Sequence, residues 1–261
     1  MTNLKLTSGL LERVPGLTRA WMFLFGGAPI ETPAAMTILL ERTPGDPATR
    51  LGRLEYGAEP KADGTPSAYD TFIFHELGGA VTLPFAFVDG NLFVAVVEQR
   101  RFCETHSEYN PSGKVENAPR GFHNVGAAAQ QTATDELKSE VGVFEGETFR
   151  LPGQPQNANN SWFSYEDELD QDGESVGQGG VIPHAVKVNS AFLEATEAGR
   201  YRIKPEHLGE RKKGSPYEMI GNCTFLPWQE AVQLRDGFTA CAVARLLVNL
   251  ENSGQLKLET K

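Results

Sequence analysis

Two glutamates, Glu136 and Glu140, stand four residues apart in the run Asp135-Glu136-Leu137-Lys138-Ser139-Glu140-Val141-Gly142-Val143. At about 3.6 residues per turn, Glu136, Ser139 and Glu140 share one face of a helix. They are predicted to lie opposite Leu137 and Val141, so that two carboxylates converge while the back of the helix is buried. Carboxylates at this spacing repel each other unless a positive charge lies between them. A hard cation such as Mg²⁺ supplies that charge, taking one or two carboxylates, keeping several waters and bridging to substrate phosphates. The plain alternative for these two residues alone is a solvated acidic face on an amphipathic helix.

The elements that must position this pair read as a mixture of strands and helices. A helix is predicted over Ala127–Val141, with Ala129, Ala133, Leu137 and Val141 spaced by four and Gly142 as the stop. Before it come strands at Met36–Glu41, Leu51–Tyr56, Thr71–Glu76, Ala80–Val88 and Leu92–Glu98. Val88-Asp89-Gly90-Asn91 carries the Asp-Gly signal of a tight hairpin between the last two. Residues 100–120 read as polar and irregular. Ser161–Glu166 reads as a strand leading into an acidic, glycine-rich exposed insertion. Further strands are predicted at Ala185–Val188 and Met219–Leu226, and short helices at Trp228–Leu234 and Ala240–Leu250. Strands before, beside and after a central helix indicate an α+β fold.

Composition narrows the function classes. The 261 residues carry a formal charge of −10 and a sequence pI of about 5.1, which disfavours nucleic acid as a partner because cationic excess is missing. Hydrophobic residues at 40% and charged residues at 22% are ordinary for a chain that folds around a core. Cys103, Cys223 and Cys241 have no short spacing, so neither a disulfide framework nor a CxxC metal site is expected, and a reducing compartment, the cytoplasm, is the simplest setting. The apolar run Ala20–Phe25 is too short and too soon interrupted by Gly26, Gly27 and Pro29 to be a membrane span or a secretory segment. No membrane partner is expected. His75, His106, His123, His184 and His207 sit singly and are given no chemistry.

The frame around the two glutamates resembles the signature of the Nudix hydrolases. Gly121, Glu136, Leu137, Glu140, Gly142 and Val143 stand at the required spacings, and Gly126 also agrees. Three positions depart: Ala127 replaces the first glutamate, Asp135 the arginine, and Ser139 the first of the paired glutamates. Val96-Val97-Glu98-Gln99-Arg100-Arg101 and Asn117-Ala118-Pro119-Arg120-Gly121 are similar to the matching segments of the ADP-ribose pyrophosphatase-like branch. So is the tail, Phe225-Leu226-Pro227-Trp228-Gln229-Glu230-Ala231 followed by Asp236-Gly237-Phe238. The resemblance covers roughly Met36 to Leu250.

The resemblance implies a Nudix-type α/β/α sandwich with a mixed sheet, residues 77–252, preceded by an antiparallel β subdomain over 1–76 used in dimerisation. Insertions fall near 103–118 and 167–180, and 253–261 form a tail. It implies that Glu136 and Glu140 ligate Mg²⁺ or Mn²⁺ together with the Arg120 carbonyl, and that Ser139 gives a weak hydroxyl ligand or holds a metal-bound water. Arg101, with Arg100, would face substrate phosphate. Glu218 is the positional match for the glutamate that orients or deprotonates water, with Glu210 and Glu206 as rivals. Arg211-Lys212-Lys213 could screen a polyanion, and Trp162, Phe163 and Tyr165 could stack a base, although a solvated turn and core packing are the plainer roles. The implied activity is hydrolysis of a nucleoside diphosphate derivative, ADP-ribose or a nucleotide sugar, to a nucleoside monophosphate. The box departures motivate the alternative of a catalytically silent domain that binds a nucleotide as a sensor or assembly module. A binding protein unrelated to this family requires Glu136 and Glu140 to be paired internally.

Overall fold

The computed structural model describes residues 35–40, 52–58, 70–76, 78–100, 109–110, 112–122, 128–142, 145–156, 163–165, 167–169, 175–196, 199–210 and 220–257. The chain divides into two units, residues 1–77 with 157–166, and residues 78–156 with 167–261. In the first unit, β1 (Ala35–Leu40), β2 (Gly52–Ala58) and β3 (Asp70–Glu76) pair antiparallel in sequence order. A short β9 (Phe163–Tyr165) is added parallel to β3, so this piece of the later chain belongs with the N-terminal strands.

The second unit is built on a mixed sheet. β4 (Gly79–Val88) and β5 (Asn91–Arg100) form the predicted hairpin, with Val88 opposite Asn91. Both turn residues have positive φ, 49° at Asp89 and 80° at Gly90, which is the geometry that an Asp-Gly pair favours. β12 (Val181–Lys187) runs parallel to β4 on its far edge, and β8 (Thr148–Arg150) is antiparallel to β12. On the other side, β15 (Ile220–Pro227) pairs antiparallel with β5, followed outward by β14 (Tyr201–Ile203) and β13 (Leu193–Ala195). A separate small hairpin joins β10 (Glu168–Leu169) to β11 (Ser175–Gly177).

Helices cover both faces of this sheet, which is why β5 is apolar on both sides. On one face Leu137 of α1 (Ala129–Glu140) and Val141 at its C-cap pack with Ala86, Ala95, Val97, Val186 and Phe225. On the other, Ala242, Val243, Leu246 and Leu250 of α3 (Gly237–Asn252), helped by Ala231 of the one-turn α2 (Trp228–Ala231), pack with Val81, Leu83, Val94 and Val96. The architecture is α+β with a mixed sheet between helical layers, as expected. None of the helices among the described residues is long and apolar enough to cross a membrane.

The hairpin is splayed. β4 pairs with β5 only from Phe85 to Val88, and its earlier residues, Gly79–Val81, pair instead with β7 (Arg120–Phe122). The far end of β5, Val97–Arg100, pairs with β6 (Lys114–Asn117). Residues 114–122 thus fill the fork as one continuous segment, with Asn117, Ala118 and Pro119 buried at its crossing. This corrects the reading of residues 100–120 as irregular: the segment's polar side chains hide two short ladders. Likewise the stretch read as an exposed acidic insertion contains the β10–β11 hairpin, and β12 starts four residues before the predicted Ala185. The strands β8, β13 and β14 were not anticipated, since three residues are too few to display a period.

Candidate functional site

α1 opens at Ala128, whose side chain makes no cap, and closes at Gly142, whose φ of 125° a side chain would resist. A Cβ there would lie 2.9 Å from the Gly209 carbonyl oxygen, so the loop after β14 sits directly on the helix end. The helix start differs from the predicted Ala127, which with Gly126 lies outside the described residues. The buried residues of α1 are Ala129, Thr132, Ala133, Leu137 and Glu140. On a helical projection Glu136 and Glu140 are about 40° apart, in the middle of that stripe and beside Leu137. The prediction that the carboxylates lie opposite the apolar residues is therefore corrected: they point at the sheet with them. The helix is fixed there by packing and by the Thr82 hydroxyl, which donates to the Ala133 carbonyl at 3.0 Å.

Both carboxylates meet β7. Glu140 is only 2% exposed, and a carboxylate that buried is tolerable only when hydrogen-bonded. Its Oε2 accepts the Arg120 backbone N–H at 3.0 Å. Arg120 faces Val81 in the β4–β7 register, and the next inter-strand bond runs from Thr82 N–H to the Pro119 carbonyl. By antiparallel alternation the N–H and the C=O of Arg120 both point away from β4, toward the open side of the fork. One residue on, Glu136 lies across Gly121. A Cβ on Gly121 would come within 2.7 Å of Glu136 Cγ, and nearer still to its carboxylate, so only glycine leaves room for this contact. Two carboxylates thus converge on one two-residue stretch of backbone, on the side to which the Arg120 carbonyl points.

The other expected site residues are placed unevenly. Ser139 donates its hydroxyl to the Glu136 carbonyl at 3.0 Å and reaches Glu136 Oε2 at 3.5 Å. Asp135 is turned aside, accepting from Gln131 at 2.8 Å. The Arg120 side chain leaves on the opposite face of β7, toward α3, and pairs with Asp236. Arg100 shares the face of β5 that carries Val94 and Val96, and its Nε donates to the Ser112 carbonyl at 3.3 Å. Strand alternation therefore puts it on the α3 side of the sheet, away from α1. Glu206 and Glu210 are exposed. Arg101, Glu218, Arg211–Lys213, Val143 and Trp162 lie outside the described residues.

Among the described residues no group of three or more His, Cys, Asp or Glu side chains is arranged to hold a metal ion. The donor set present, two carboxylates beside a main-chain carbonyl, suits Mg²⁺ or Mn²⁺ in the form that such ions adopt when substrate phosphates and water complete the shell. It does not suit a cage made by protein alone. Sequence reasoning missed Asp236 and Thr239, which brace β7 from behind. Their signal was legible as an Asp-x-x-Thr helix start.

No protein-family model matches the chain, and no curated protein matches it. Among solved structures it is similar to an ADP compounds hydrolase, at 12% identity and a TM-score of 0.48, over 84% of this chain and 94% of that one. It is also similar to the NUDIX domain of Shewanella oneidensis NrtR complexed with ADP ribose, at 13% identity and TM-score 0.36, over 67% and 88% of the chains. A third is a C. elegans Ap4A hydrolase, at 12% identity and TM-score 0.35, over 67% and 98%. Likenesses this distant leave the chemistry to be argued from the residues themselves.

Proposed function

We propose that this protein hydrolyses the diphosphate of a nucleoside diphosphate derivative, ADP-ribose or a nucleotide sugar, with the help of Mg²⁺ or Mn²⁺. The observation that carries the reading is the convergence of Glu136 and Glu140 on the backbone of Arg120 and Gly121, at the spacing by which the sequence resembles the Nudix signature. Burying carboxylate is costly, and Glu140 at 2% exposure with the half-buried Glu136 beside it concentrates acid on the helix face that meets the sheet. Glu140, fixed by the Arg120 N–H, and Glu136, seated over Gly121, would hold the ion with the Arg120 carbonyl. When bound, the ion neutralises charge developing on the diphosphate. Water attacks one phosphorus, its P–O bond forming as the bridging P–O bond breaks, to give a nucleoside monophosphate and a second phosphorylated product. Glu218 is the proposed residue for orienting that water, and Arg101 for meeting phosphate. The cysteines, without short spacing, favour a reducing compartment, the cytoplasm, and the same resemblance implies a homodimer built through the N-terminal strands.

A second reading, a domain that binds the nucleotide without turning it over, is favoured by Ser139. Its hydroxyl is committed to the Glu136 carbonyl, at a position where the resembled signature has a carboxylate. One experiment separates the two. Purified protein is offered ADP-ribose and a panel of nucleotide sugars with Mg²⁺ or Mn²⁺, phosphate is read after a coupling phosphatase, and melting is followed with each ligand. Turnover that disappears in Glu136→Gln and Glu140→Gln, both still folded, supports hydrolysis. A rise in melting temperature without turnover supports the silent reading. Neither effect, or full activity in Glu136→Gln, overturns the proposal.

A further inference from the structure

Asp236 stands behind the candidate site, on the α3 face of the sheet, and ties together groups that the carboxylates do not reach. Its Oδ2 accepts the Thr239 N–H at 2.9 Å and the Thr239 hydroxyl at 2.6 Å, capping α3. Its Oδ1 receives Arg120 Nη1 at 2.5 Å, and the two side chains are only 14% and 18% exposed, so solvent screens the pair far less than a surface ion pair. The Arg120 guanidinium also lies over the Phe238 ring, 4.9 Å from its centroid. Thr239 completes the brace by accepting the Ala118 N–H on its hydroxyl at 2.8 Å. Residues 118 and 120 are therefore fastened to the first turn of α3. Between and beyond them run the backbone groups that face Glu140 and Glu136.

A three-residue edge strand has little ladder of its own and opens readily unless something else holds it. Arg120 is the residue gripped from both sides: its side chain by Asp236, its N–H by Glu140. We propose that Asp236 is a positioning residue for the carboxylate site. Its ion pair with Arg120 holds β7 in register, so that the Arg120 N–H stays on Glu140 and Gly121 stays beneath Glu136. This rests on the reading of Glu136 and Glu140 as the metal- and diphosphate-binding pair.

The test uses Asp236→Asn in the full chain, which keeps an acceptor for the Thr239 cap but removes the charge that draws Arg120. Val243→Ala, in the core face of the same helix, is the control for plain loss of stability. Hydrogen exchange at the Arg120 amide, read without metal, should quicken about tenfold in Asp236→Asn relative to core amides such as Val94. The dissociation constant for Mn²⁺ alone, titrated by electron paramagnetic resonance, should rise about tenfold. Val243→Ala should lower the melting temperature without either local effect. Arg120→Met combined with Asp236→Asn should lose no more Mn²⁺ affinity than the worse single variant. Unchanged Arg120 exchange in Asp236→Asn, additive losses in the double variant, or the same Mn²⁺ loss in Val243→Ala overturns the inference. Mn²⁺ affinity that ignores Glu136→Gln would instead overturn the metal reading, while the exchange result still decides the brace.

Discussion

Gly121→Ala attacks the candidate site without removing a charge or a donor. The added Cβ would lie 2.7 Å from Glu136 Cγ, whereas carbon atoms rest comfortably at about 3.5 Å, so Cγ must retreat by about 0.8 Å and the carboxylate beyond it by more. Glu136 is only half-buried and sits on one face of a helix, so the side chain can swing outward rather than push the backbone apart. The cost to folding is then at the low end of overpacking, about 1 kcal/mol, and replacing a strand glycine by alanine returns about 0.5 kcal/mol of it. For a unit of this size the melting temperature should move by no more than about 4 °C. Catalysis is far less forgiving, because a displacement of about 1 Å in a reacting geometry costs on the order of 100-fold. The assay pairs a thermal melt with steady-state hydrolysis of whichever nucleoside diphosphate derivative the panel identifies, and with a Mn²⁺ titration. Activity and Mn²⁺ affinity within threefold of the parent protein would refute the claim that Glu136 acts from over Gly121. A fall of more than about 10 °C in melting would refute the claim that its side chain is free to yield.

Two further perturbations probe the supports. Thr82→Val keeps the shape of a fully buried residue but leaves the Ala133 carbonyl without its hydroxyl donor, and should cost about 1 kcal/mol in urea unfolding. Arg200 joins Glu116 on β6 to Glu230 on α2 at 2.7 and 3.3 Å, and Glu116 faces Glu98 across the β5–β6 ladder. Replacing it by Met should cost about 0.5–1 kcal/mol, more at low salt than at high salt, because the ion pairs are part-exposed and two glutamates are left opposed. Burial alone would lower the pKa of Arg200, but Glu116 and Glu230 outweigh it and leave the value raised. The stabilisation linked to that shift is complete below the unfolded pKa and fades only as pH rises through the folded one, so the Arg200→Met deficit should stay flat across neutral pH and shrink only under strongly alkaline conditions.

Much of this architecture was legible in the chain. The continuous apolar runs of β4 and β5 marked strands, and Asp89-Gly90 marked the turn between them, because each signal is local and needs no partner to be read. The stop of α1 at Gly142 and the four-residue spacing of Glu136 and Glu140 were equally plain. The fork of the hairpin was not, since a segment such as Lys114–Phe122 becomes two strands only when β4 and β5 separate to receive it. Nor was the direction of the acidic pair, for a helix seen alone does not say which of its overlapping stripes will meet a sheet.

The amino-acid sequence by itself determined the α+β character of this protein and the helix that carries Glu136 and Glu140. These follow from backbone preference and periodicity, which act over a few residues. Only the tertiary structure decided that the carboxylates face the β7 backbone and that Glu140 is buried against the Arg120 N–H. It also turned the side chains of Arg120 and Arg100 to the α3 side of the sheet, and made Asp236 the anchor behind the site. Each of those outcomes depends on which groups remote in sequence are available to satisfy a buried charge or a main-chain donor, and that is settled by packing.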